Sequence, residues 1–470
     1  MKLKTLLICL ILINSSLLFA QFKQATTAIH SGIPWFDNKG NVVSAHGANI
    51  IRDNDRFYLF GEFKTDTSNF FNGFSCYSSA DLYNWKFENM VLPVQDSGKL
   101  GPNRVGERVK VMKCPKTGKY IMFMHVDNLQ YKDQFVGYAT CDIVNGIYTF
   151  QGPLLFNGKP VKKWDMGVFQ DIDGAGYVIT HSGNLFKLSD DYKSITEQVV
   201  NNMTPRCEAP AIFKKDSLYY WLGSDLTSWE RNDNYYFTAT SLKGPWTERG
   251  IFAPKGTLTW NSQSTYILPI AGTQDTTFMF MGDRWAFPRQ NSAATYVWQP
   301  LSVSGHSISV PDYKASWHVN TSTGKWTSSA IGGKTIDHSN TKLIQYSGIW
   351  KHSPSVDTLA DSRSNTKGSS FTVNFTGTQI GLYGIAGPNG GYAQVTIKNS
   401  KGVTILSSTI DMYCKYPDRS LRFLSPVLAK DKYSFTVSVI GAHGNWSNKK
   451  GTIFGSTGDF VSVDKIIIEK

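Results

Sequence analysis

Short runs of aromatic and β-branched residues recur along the first two thirds of the chain. Polar turns such as RDNDR, PKTGK and KKDS precede several of them, and a second strand-like run follows each one. The five runs read RFYLFGE, KYIMFMH, GYVITHS, LYYWLGS and TFMFMGD, and they end at Glu62, His125, Ser182, Ser224 and Asp283. Runs of this length between turn residues predict β-strands, and no helical period interrupts them.

Five repeated strand units predict a radial fold in which each unit forms one antiparallel sheet. They lie between about residue 30 and about residue 320, and self-similar units of this kind are typical of β-propellers. We therefore predict an all-β chain that begins with a five-bladed β-propeller over residues 21–326. A large β-sandwich is the alternative. In a propeller, the residues where inner strands begin or end face a central pocket.

The pattern changes after Trp326. A polar, Gly- and Ser-containing segment, TSSAIGGKTIDHSNTK, separates the repeats from a series of alternating strands such as SSFTVNFTG, GYAQVTIKN and YSFTVSVIG. Period-two alternation between turn signals predicts a jelly-roll-like β-sandwich. We assign residues 327–345 to a junction and residues 346–470 to this accessory domain, which either binds polysaccharide or braces its neighbour.

The N-terminus MKLKTLLICLILINSSLLFAQF has two lysines, an apolar core and a small residue before Gln21. This is the pattern of a secretory signal peptide, which we place at residues 1–20. The apolar stretch is too short for a membrane anchor, and no later segment is long enough to span a membrane. We expect an exported, soluble chain, in the periplasm or outside the cell.

Composition narrows the classes of partner. Aromatic residues make up 13% of the chain, which suits both β-rich folds and surfaces that stack on sugar rings. The formal net charge is +12, and the lysines are scattered through turns, so a solvated basic surface or attraction to an acidic polysaccharide explains this charge better than nucleic-acid binding.

The cysteines are widely spaced without a CxxC pair, which indicates neither a zinc site nor a disulfide framework. We expect a monomer.

Carboxylates lie at the predicted edges of inner strands in different blades. They are Glu62 in LFGEFK, Glu107 in NRVGERVKV, Asp165 in KKWDMGVFQ and Glu208 in TPRCEAPAIF. Four such charges converging on one axis would repel one another unless they served a ligand. Glycoside hydrolysis requires this convergence, because one carboxylic acid protonates the leaving oxygen and a base activates water on the opposite face.

Two stretches, DMGVFQDIDG and CEAPAIFKKDSLYYWLGS, resemble the signature regions of glycoside hydrolase family 43 over about residues 25 to 325. The stretches AHGANIIRDNDRFYLFGEFK, TSWERNDNYY and TWNSQSTYILP are similar to its branch of exo-acting galactan 1,3-β-galactosidases. The resemblance implies a five-bladed propeller with an inverting mechanism. It also implies that Glu208 is the general acid and that Asp165 modulates the pKa of that acid.

The family's usual catalytic Asp in the first blade has no counterpart here, because His46-Gly47-Ala48 occupies its place. In the galactanase branch a glutamine contacts the attacking water, and Gln263 matches it. Glu107 matches another acidic position of that branch. A neutral amide is a poor proton acceptor, so Gln263 cannot be an ordinary base. On the resemblance we place Gln263 first as the water-contacting group, and we keep Glu107 as the alternative base.

A second set of residues is predicted to bind the sugar. Trp229 and Trp260 offer stacking faces for a galactose ring, although either would serve equally as a core aromatic, and for Trp260 the two readings are even. The remaining candidates are polar side chains that can donate to or accept from sugar hydroxyls: Glu62, Arg108, Tyr131 and Thr227.

The sequence thus predicts an exported glycoside hydrolase that releases galactose from β-1,3-galactan or arabinogalactan. One alternative keeps the fold but cleaves arabinofuranosides or β-xylosides, and another is a non-catalytic glycan-binding propeller. We predict no metal site and no required cofactor, while a structural Ca²⁺ is compatible with the sequence but not identified by it.

Overall fold

The structure, a computed structural model, describes residues 26–354, 360–448 and 451–470. The predicted signal peptide lies outside the described residues. Nearly all regular elements are strands, and the described helical segments are a 3₁₀ turn at Gly98–Leu100 and a four-residue turn at Leu258–Asn261. The all-β prediction is confirmed.

The first strand, β1, spans Ile29–His30 and is followed by five antiparallel sheets in chain order. We number these sheets as blades one to five. The first contains β2 (His46–Asp53), β3 (Arg56–Glu62), β4 (Phe74–Ser79) and β5 (Lys86–Leu92), and the second contains β6 (Arg104–Lys113), β7 (Tyr120–Asn128), β8 (Phe135–Cys141) and β9 (Thr149–Pro153).

The third blade has two additional short strands at its outer edge. It contains β10 (Leu155–Phe156), β11 (Lys159–Pro160), β12 (Met166–Gln170), β13 (Gly176–Thr180), β14 (Asn184–Leu188) and β15 (Ser194–Val200). The fourth contains β16 (Glu208–Lys215), β17 (Leu218–Ser224), β18 (Tyr235–Ala239) and β19 (Thr247–Ile251), and the fifth contains β20 (Gln263–Ala271), β21 (Thr276–Arg284), β22 (Thr295–Ser304) and β23 (Ser307–Ser309).

The five blades form a closed ring. The leading strands β2, β6, β12, β16 and β20 contact one another in that order, and β20 contacts β2. A ring of antiparallel sheets around an axis is the arrangement of a β-propeller. The ends of the ring are joined by a separate sheet, in which β24 (Ser316–Asn320) pairs with β1 on one side and with β25 (Lys325–Ser328) on the other.

The core of the ring lies between neighbouring blades rather than on the axis. The apolar cluster where the ring closes, for example, joins Trp85 of the first blade with Trp298 of the fifth and Trp317 of the closing sheet, each at most 2% exposed. Burying a large aromatic side chain stabilises the fold by roughly 1.5–3 kcal/mol. Aromatic runs in the sequence therefore become the layers that hold successive blades together.

A second group of sheets follows β25. Its strands are β26 (Lys334–Asp337), β27 (Ile344–Ser347), β28 (Lys351–His352), β29 (Ser362–Ser364), β30 (Ser370–Gly377), β31 (Gln379–Ala386), β32 (Tyr392–Asn399), β33 (Thr404–Asp411), β34 (Asp418–Leu424), β35 (Asp431–Val439), β36 (Asn445–Ser447), β37 (Ile453–Gly455), β38 (Val461–Val463) and β39 (Lys465–Glu469). The main sheets have the strand orders β26-β39-β31-β34 and β27-β30-β35-β32-β33.

These two sheets enclose a core of their own, and we call this part the C-terminal sandwich. Residues such as Phe371, Phe435 and Val437 are fully buried in it. The strand Lys334–Asp337 pairs with Lys465–Glu469, so it belongs to this part although it falls inside the segment predicted as a junction. The exact domain boundaries stay a prediction.

Candidate active site

The leading strands carry candidate site residues at or near their first residues. Glu107 lies opposite His125, Glu208 opposite Ser224 and Gln263 opposite Asp283, while in the first blade His46 lies opposite Glu62. In the first, fourth and fifth blades the pair includes the first residue of the leading strand, whereas β6 begins three residues before Glu107. Because the leading strands surround one axis, these residues meet there although they are far apart in sequence.

A β-bulge follows these positions in three blades. The pairing register shifts between His46 and Asn49, between Glu107 and Lys110, and between Glu208 and Ala211. The residue directly after His46, Glu107 and Glu208 is left-handed in each case, with φ of 59° at Gly47, 52° at Arg108 and 51° at Ala209. Such bulges re-aim side chains, and at Arg108 and Ala209 the conformation costs about 1–2 kcal/mol per residue.

Arg108 crosses the axis and connects four blades. Its Nε lies 2.6 Å from Asp165 Oδ1, its Nη2 donates to Gln263 Oε1 at 2.6 Å, and its backbone N–H donates to Glu62 Oε1 at 2.8 Å. The residue is 6% exposed. A guanidinium presents several donors in a fixed plane, so this cation sets the position of Asp165 relative to Gln263, and the backbone N–H of the same residue holds Glu62.

Glu208 lies beside Gln263 and Asp165. Gln263 Nε2 donates to Glu208 Oε1 at 3.0 Å, and the backbone N–H of Ala209 donates to Asp165 Oδ2. Burial, and then the negative charge of Asp165, raise the pKa of Glu208 to about 8, against the opposing charge of Arg108. Glu208 is thus able to carry a proton near neutral pH.

Glu107 has the opposite electrostatic environment. Its carboxylate accepts hydrogen bonds from Asn69 Nδ2 at 2.6 Å and Tyr131 Oη at 2.9 Å, and it lies 3.0 Å from His125 Nδ1. Burial favours protonation of Glu107, but the bond to His125 and the charges of His125 and Lys64 outweigh it and lower its pKa.

The imidazole of His125 is held between two carboxylates. Its Nε2 lies 3.3 Å from Asp127 Oδ2. Burial would lower the pKa of His125, but hydrogen bonds to Asp127 and Glu107 raise it to about 9. His125 is therefore an imidazolium that keeps Glu107 ionised.

The amide of Gln263 is fully occupied by protein groups. Its Oε1 accepts from Arg108 and, at 2.9 Å, from the indole Nε1 of Trp285, and its Nε2 donates to Glu208 and, at 2.9 Å, to Ser224 Oγ. Arginine and the indole N–H are donors only, so the orientation of the amide is fixed. In this arrangement both lone pairs of Oε1 are used, and the oxygen has no capacity left for a water molecule.

The predicted sugar-binding residues fall into two groups. Near the carboxylates, Tyr131 contacts Glu107, Glu62 forms an ion pair with Lys64, and the half-buried Trp229 lies under Lys64 Nζ at 5.1 Å from its ring. Thr227 instead accepts a hydrogen bond from Asn232 and donates one to the carbonyl of Glu230.

Trp260 lies in the core between the fourth and fifth blades. Its indole N–H donates to the carbonyl of Val310 at 2.9 Å, and its ring packs against that of Tyr313. The sequence supports a sugar-stacking role and a core position for Trp260 equally. The structure places its side chain against the apolar core.

Sequence reasoning missed several groups of the site. His125, Ser224 and Trp285 contact Glu107 or Gln263 directly. Two of the three, His125 and Ser224, are the last residues of the aromatic runs KYIMFMH and LYYWLGS. Their position at the end of a run is the signal in the sequence that indicates them. In the third blade, Trp164 precedes Asp165, is half-buried and stacks on His181 with ring centroids 4.1 Å apart.

The charged centre beneath the site includes a buried lysine. Lys110 is fully buried, and its Nζ donates to the carbonyl of Gly47 at 2.5 Å and to Thr265 Oγ1 at 3.3 Å. Burial and the neighbouring charge of Arg108 lower its pKa to about 7. Among residues 26–354, 360–448 and 451–470, no three His, Cys, Asp or Glu side chains are grouped so that they could hold a metal ion.

Comparison with known proteins gives consistent relatives. The family model of glycosyl hydrolases family 43 matches residues 41–250. A candidate exo-β-1,3-galactanase from Bifidobacterium bifidum s17 is 37% identical over 61% of this chain and 96% of its own, with a TM-score of 0.56. No curated protein sequence matches the chain.

Two further solved structures are similar to this chain. The exo-β-1,3-galactanase of Phanerochaete chrysosporium, solved as a glutamate-to-glutamine variant with β-1,3-galactotriose, is 26% identical over 94% of this chain and 100% of its own, with a TM-score of 0.69. A family 43 β-1,3-galactosidase with galactodeoxynojirimycin is 29% identical over 60% of this chain and 99% of its own, with a TM-score of 0.55.

A ring of sheets that gathers carboxylates with opposed pKa shifts at one end, together with these relatives, defines a glycoside hydrolase. The chain belongs to glycoside hydrolase family 43. The similarity to the galactanase of Phanerochaete chrysosporium covers 94% of this chain, so it extends into the C-terminal sandwich. In the part of the chain that the structure describes, no helix has the length and apolar character needed to cross a membrane.

Proposed function

We propose that this enzyme is an exo-acting galactan 1,3-β-galactosidase, which releases galactose from β-1,3-galactan and the backbone of arabinogalactan. The observation that carries the proposal is the position of Glu208, with its raised pKa, in the same ring as the ionised Glu107. The choice of sugar is supported by the three relatives, whose names specify β-1,3-galactanase or β-1,3-galactosidase activity.

In this proposal Glu208 is the general acid. The glycosidic oxygen leaves as an alcohol only if it receives a proton as the bond to C1 breaks. Burial and Asp165 keep that proton on Glu208, while Arg108 holds Asp165 in place at 2.6 Å. The same two residues thus tune the acid and fix its geometry.

Glu107 is the better candidate for the group that activates water. It is ionised, and it lies in the leading strand of the second blade. Glu208 starts the leading strand of the fourth, so the two residues come from blades that are not neighbours. An inverting site needs about 6.5–9.5 Å between its carboxyl groups to admit a water molecule.

Gln263 fits a different role in the same reaction. It is in direct contact with Glu208, and its oxygen is already bonded to Arg108 and Trp285. We propose that Gln263 orients the acid, and that it contacts water only if substrate binding releases one of these two donors. This reverses the order in which the sequence ranked the two candidates.

Further expectations complete the proposal. Two carboxylates suffice for hydrolysis, so no cofactor is required. Export by the N-terminal signal, a periplasmic or extracellular location and a monomeric state are proposed from the sequence.

The substrate is tested by incubating the enzyme with β-1,3-galactan, arabinoxylan and synthetic pentosides and identifying the released sugars. We expect galactose from β-1,3-galactan, appearing first as the α-anomer in NMR spectra if the mechanism inverts. Release of pentose alone would support an arabinofuranosidase or xylosidase, and binding without any product would support a glycan-binding propeller.

The water-activating group is tested with Glu107→Ala and Gln263→Ala, each assayed with and without azide. If Glu107 is the base, azide replaces water without needing deprotonation, attacks C1 as the glycosidic bond breaks, and yields α-galactosyl azide in the Glu107 variant. Azide rescue of Gln263→Ala instead would assign the role to the amide. The control is Gln394→Ala, since the side-chain amide of this glutamine donates hydrogen bonds to strand residues of the sandwich.

A further inference from the structure

The C-terminal sandwich places a tyrosine against the ring close to the candidate site. Tyr413 is 6% exposed, and its Oη donates to Glu230 Oε2 at 2.6 Å. Its ring also lies over the guanidinium of Arg231, with Cζ 5.1 Å from the centroid. Burial, followed by the bond to Glu230, raises the pKa of Tyr413, so the hydroxyl stays a donor throughout the physiological pH range.

Arg231 connects this contact to two segments of the ring. Its Nε donates to Asn261 Oδ1 at 2.8 Å, and its Nη1 donates to the carbonyl of Trp285 at 3.0 Å. Glu230, Arg231, Asn261 and Trp285 are each 1% exposed. In a buried network every donor and acceptor matters, because a partner that is lost cannot be replaced by solvent.

Both segments lead to Gln263. Trp285 donates its indole N–H to Gln263 Oε1 at 2.9 Å. Asn261 ends the turn Leu258–Asn261, two residues before Gln263, and all four residues of this turn are left-handed with φ between 53° and 56°. At about 1–2 kcal/mol per residue, such a turn persists only where surrounding contacts hold it.

We propose that Tyr413 is a positioning residue of the active site. Through Glu230 and Arg231 it fixes Asn261 and Trp285, and these two hold the amide of Gln263 in the orientation that meets Glu208. The inference rests on the proposed function for its catalytic consequence. It means that the sandwich completes the catalytic site, in addition to any glycan that it binds.

The physical basis is the charge on Glu230. The described contacts of its carboxylate are the Tyr413 hydroxyl and the backbone N–H and guanidinium of Arg231, the last at 3.8 Å. A hydroxyl bonded to a buried carboxylate is a strong, charge-assisted donor. Without it, Glu230 would draw the guanidinium toward itself and away from Asn261 and Trp285.

The test is Tyr413→Phe in the full-length enzyme, which keeps the ring over Arg231 and removes only the hydroxyl. We expect kcat on β-1,3-galactobiose to fall about tenfold with little change in KM, because displacement of a positioned group by a fraction of an ångström slows the chemical step more than binding. The matched control is Tyr346→Phe, whose hydroxyl donates to His338 within the sandwich, and it should behave as the parent enzyme.

A pH profile separates positioning from a general loss of folding. The hydrogen bond from Gln263 lowers the pKa of Glu208, whose other charged neighbours are Asp165, Arg108 and Glu107. Loosening Gln263 should therefore move the alkaline limb of kcat/KM to higher pH in Tyr413→Phe. A variant that is merely less stable would keep the limb of the parent enzyme.

Hydrogen exchange provides a readout that does not depend on activity. The amides of Asn261 and Ser262 donate within the left-handed turn, at 2.8 Å and 3.1 Å. They should exchange faster in Tyr413→Phe than in Tyr346→Phe. Parent-like kcat, pH profile and exchange in Tyr413→Phe would overturn the inference. If the parent enzyme releases no sugar, the proposed function fails, and the exchange comparison alone decides whether Tyr413 positions the turn.

Discussion

At the scale of single residues, the site shifts the pKa values of two glutamates in opposite directions. Glu107 and Glu208 both lie in a leading strand and both directly precede a bulge. Glu107 meets an imidazolium and a lysine, whereas Glu208 meets a second carboxylate, so their pKa values move in opposite directions. Opposed shifts of this kind assign acid and base roles within a pair.

The pH dependence of kcat/KM should report Glu208. Because the acid must be protonated, activity should fall as the pH rises through about 8. Asp165→Asn removes a charge that raises this pKa, so the alkaline limb should move to lower pH. The measurement is kcat/KM against pH on β-1,3-galactobiose.

The control for this prediction removes an equal charge from the same blade. Asp171 pairs with Lys214 at 3.0 Å and accepts from Tyr219, and it is absent from the groups that shift the pKa of Glu208. Asp171→Asn should leave the limb unchanged. Equal limbs in Asp165→Asn and the parent enzyme would contradict the electrostatic assignment.

Sequence reasoning located the carboxylates but not their environments. Their recurrence at strand edges was visible, and the resemblance to the family supplied Gln263. The position of Arg108 across the axis was not readable, because it depends on a left-handed residue where the sequence has no glycine. The contact between Tyr413 and Glu230 joins residues 183 positions apart, and no local pattern encodes such a pair.

At the scale of elements, the bulges in the leading strands determine where the site residues point. In the first blade this device requires glycine. Gly47 has φ of 59°, and a Cβ there would lie 2.2 Å from Glu62 Oε1, the atom that accepts from the backbone of Arg108. The glycine thus leaves room for the carboxylate that anchors Arg108.

Gly47→Ala should lower both stability and activity. Overpacking against Glu62 is expected to cost about 1–3 kcal/mol in the free energy of unfolding, and moving Glu62 should disturb Arg108. Urea unfolding and kcat/KM measure the two effects. Gly118→Ala is the matched control, because Gly118 is also left-handed, with φ of 71°, and its Cβ would meet nothing within 4 Å. Equal losses in the two variants would show that conformation alone, without the clash, determines the cost.

The aromatic strands were the elements that the sequence predicted best. RFYLFGE, KYIMFMH and LYYWLGS correspond to the second strands of their blades, because dense aromatic residues favour strands packed on both faces. The turn Leu258–Asn261 was not predictable, since only its last residue, an asparagine, favours positive φ, whereas the Leu, Thr and Trp before it adopt the same conformation. The turn is held by tertiary hydrogen bonds from Arg231 and Arg284, and not by the local preference of its residues.

At the scale of the whole molecule, the ring and the sandwich share buried polar contacts. Besides Tyr413, the hydroxyl of Tyr392 donates to the carbonyl of Ala286 at 2.9 Å. Ile33 of the ring also packs with Leu421 and Leu424 of the sandwich. Interfaces between domains usually permit relative motion unless they are large and well packed, and here the contacts include a buried arginine and glutamate.

The enzyme should therefore unfold in one calorimetric transition. Separation of the two parts would expose the Glu230–Arg231 network and its apolar surroundings, so neither part should melt independently. Differential scanning calorimetry measures this, with the van't Hoff and calorimetric enthalpies expected to agree. Two resolved transitions would indicate that the sandwich is only loosely attached.

The closing sheet has a consequence for how activity arises during folding. It pairs Ile29 with Trp317, so the ends of the ring meet only after nearly three hundred residues have been ordered between them. Contacts this distant in sequence form late, because the entropy of a long loop must be overcome first. Each blade can acquire its strands locally, but no blade holds both Glu208 and the residues that tune it. Catalytic competence should therefore appear abruptly with the last closure, well after most of the secondary structure is present.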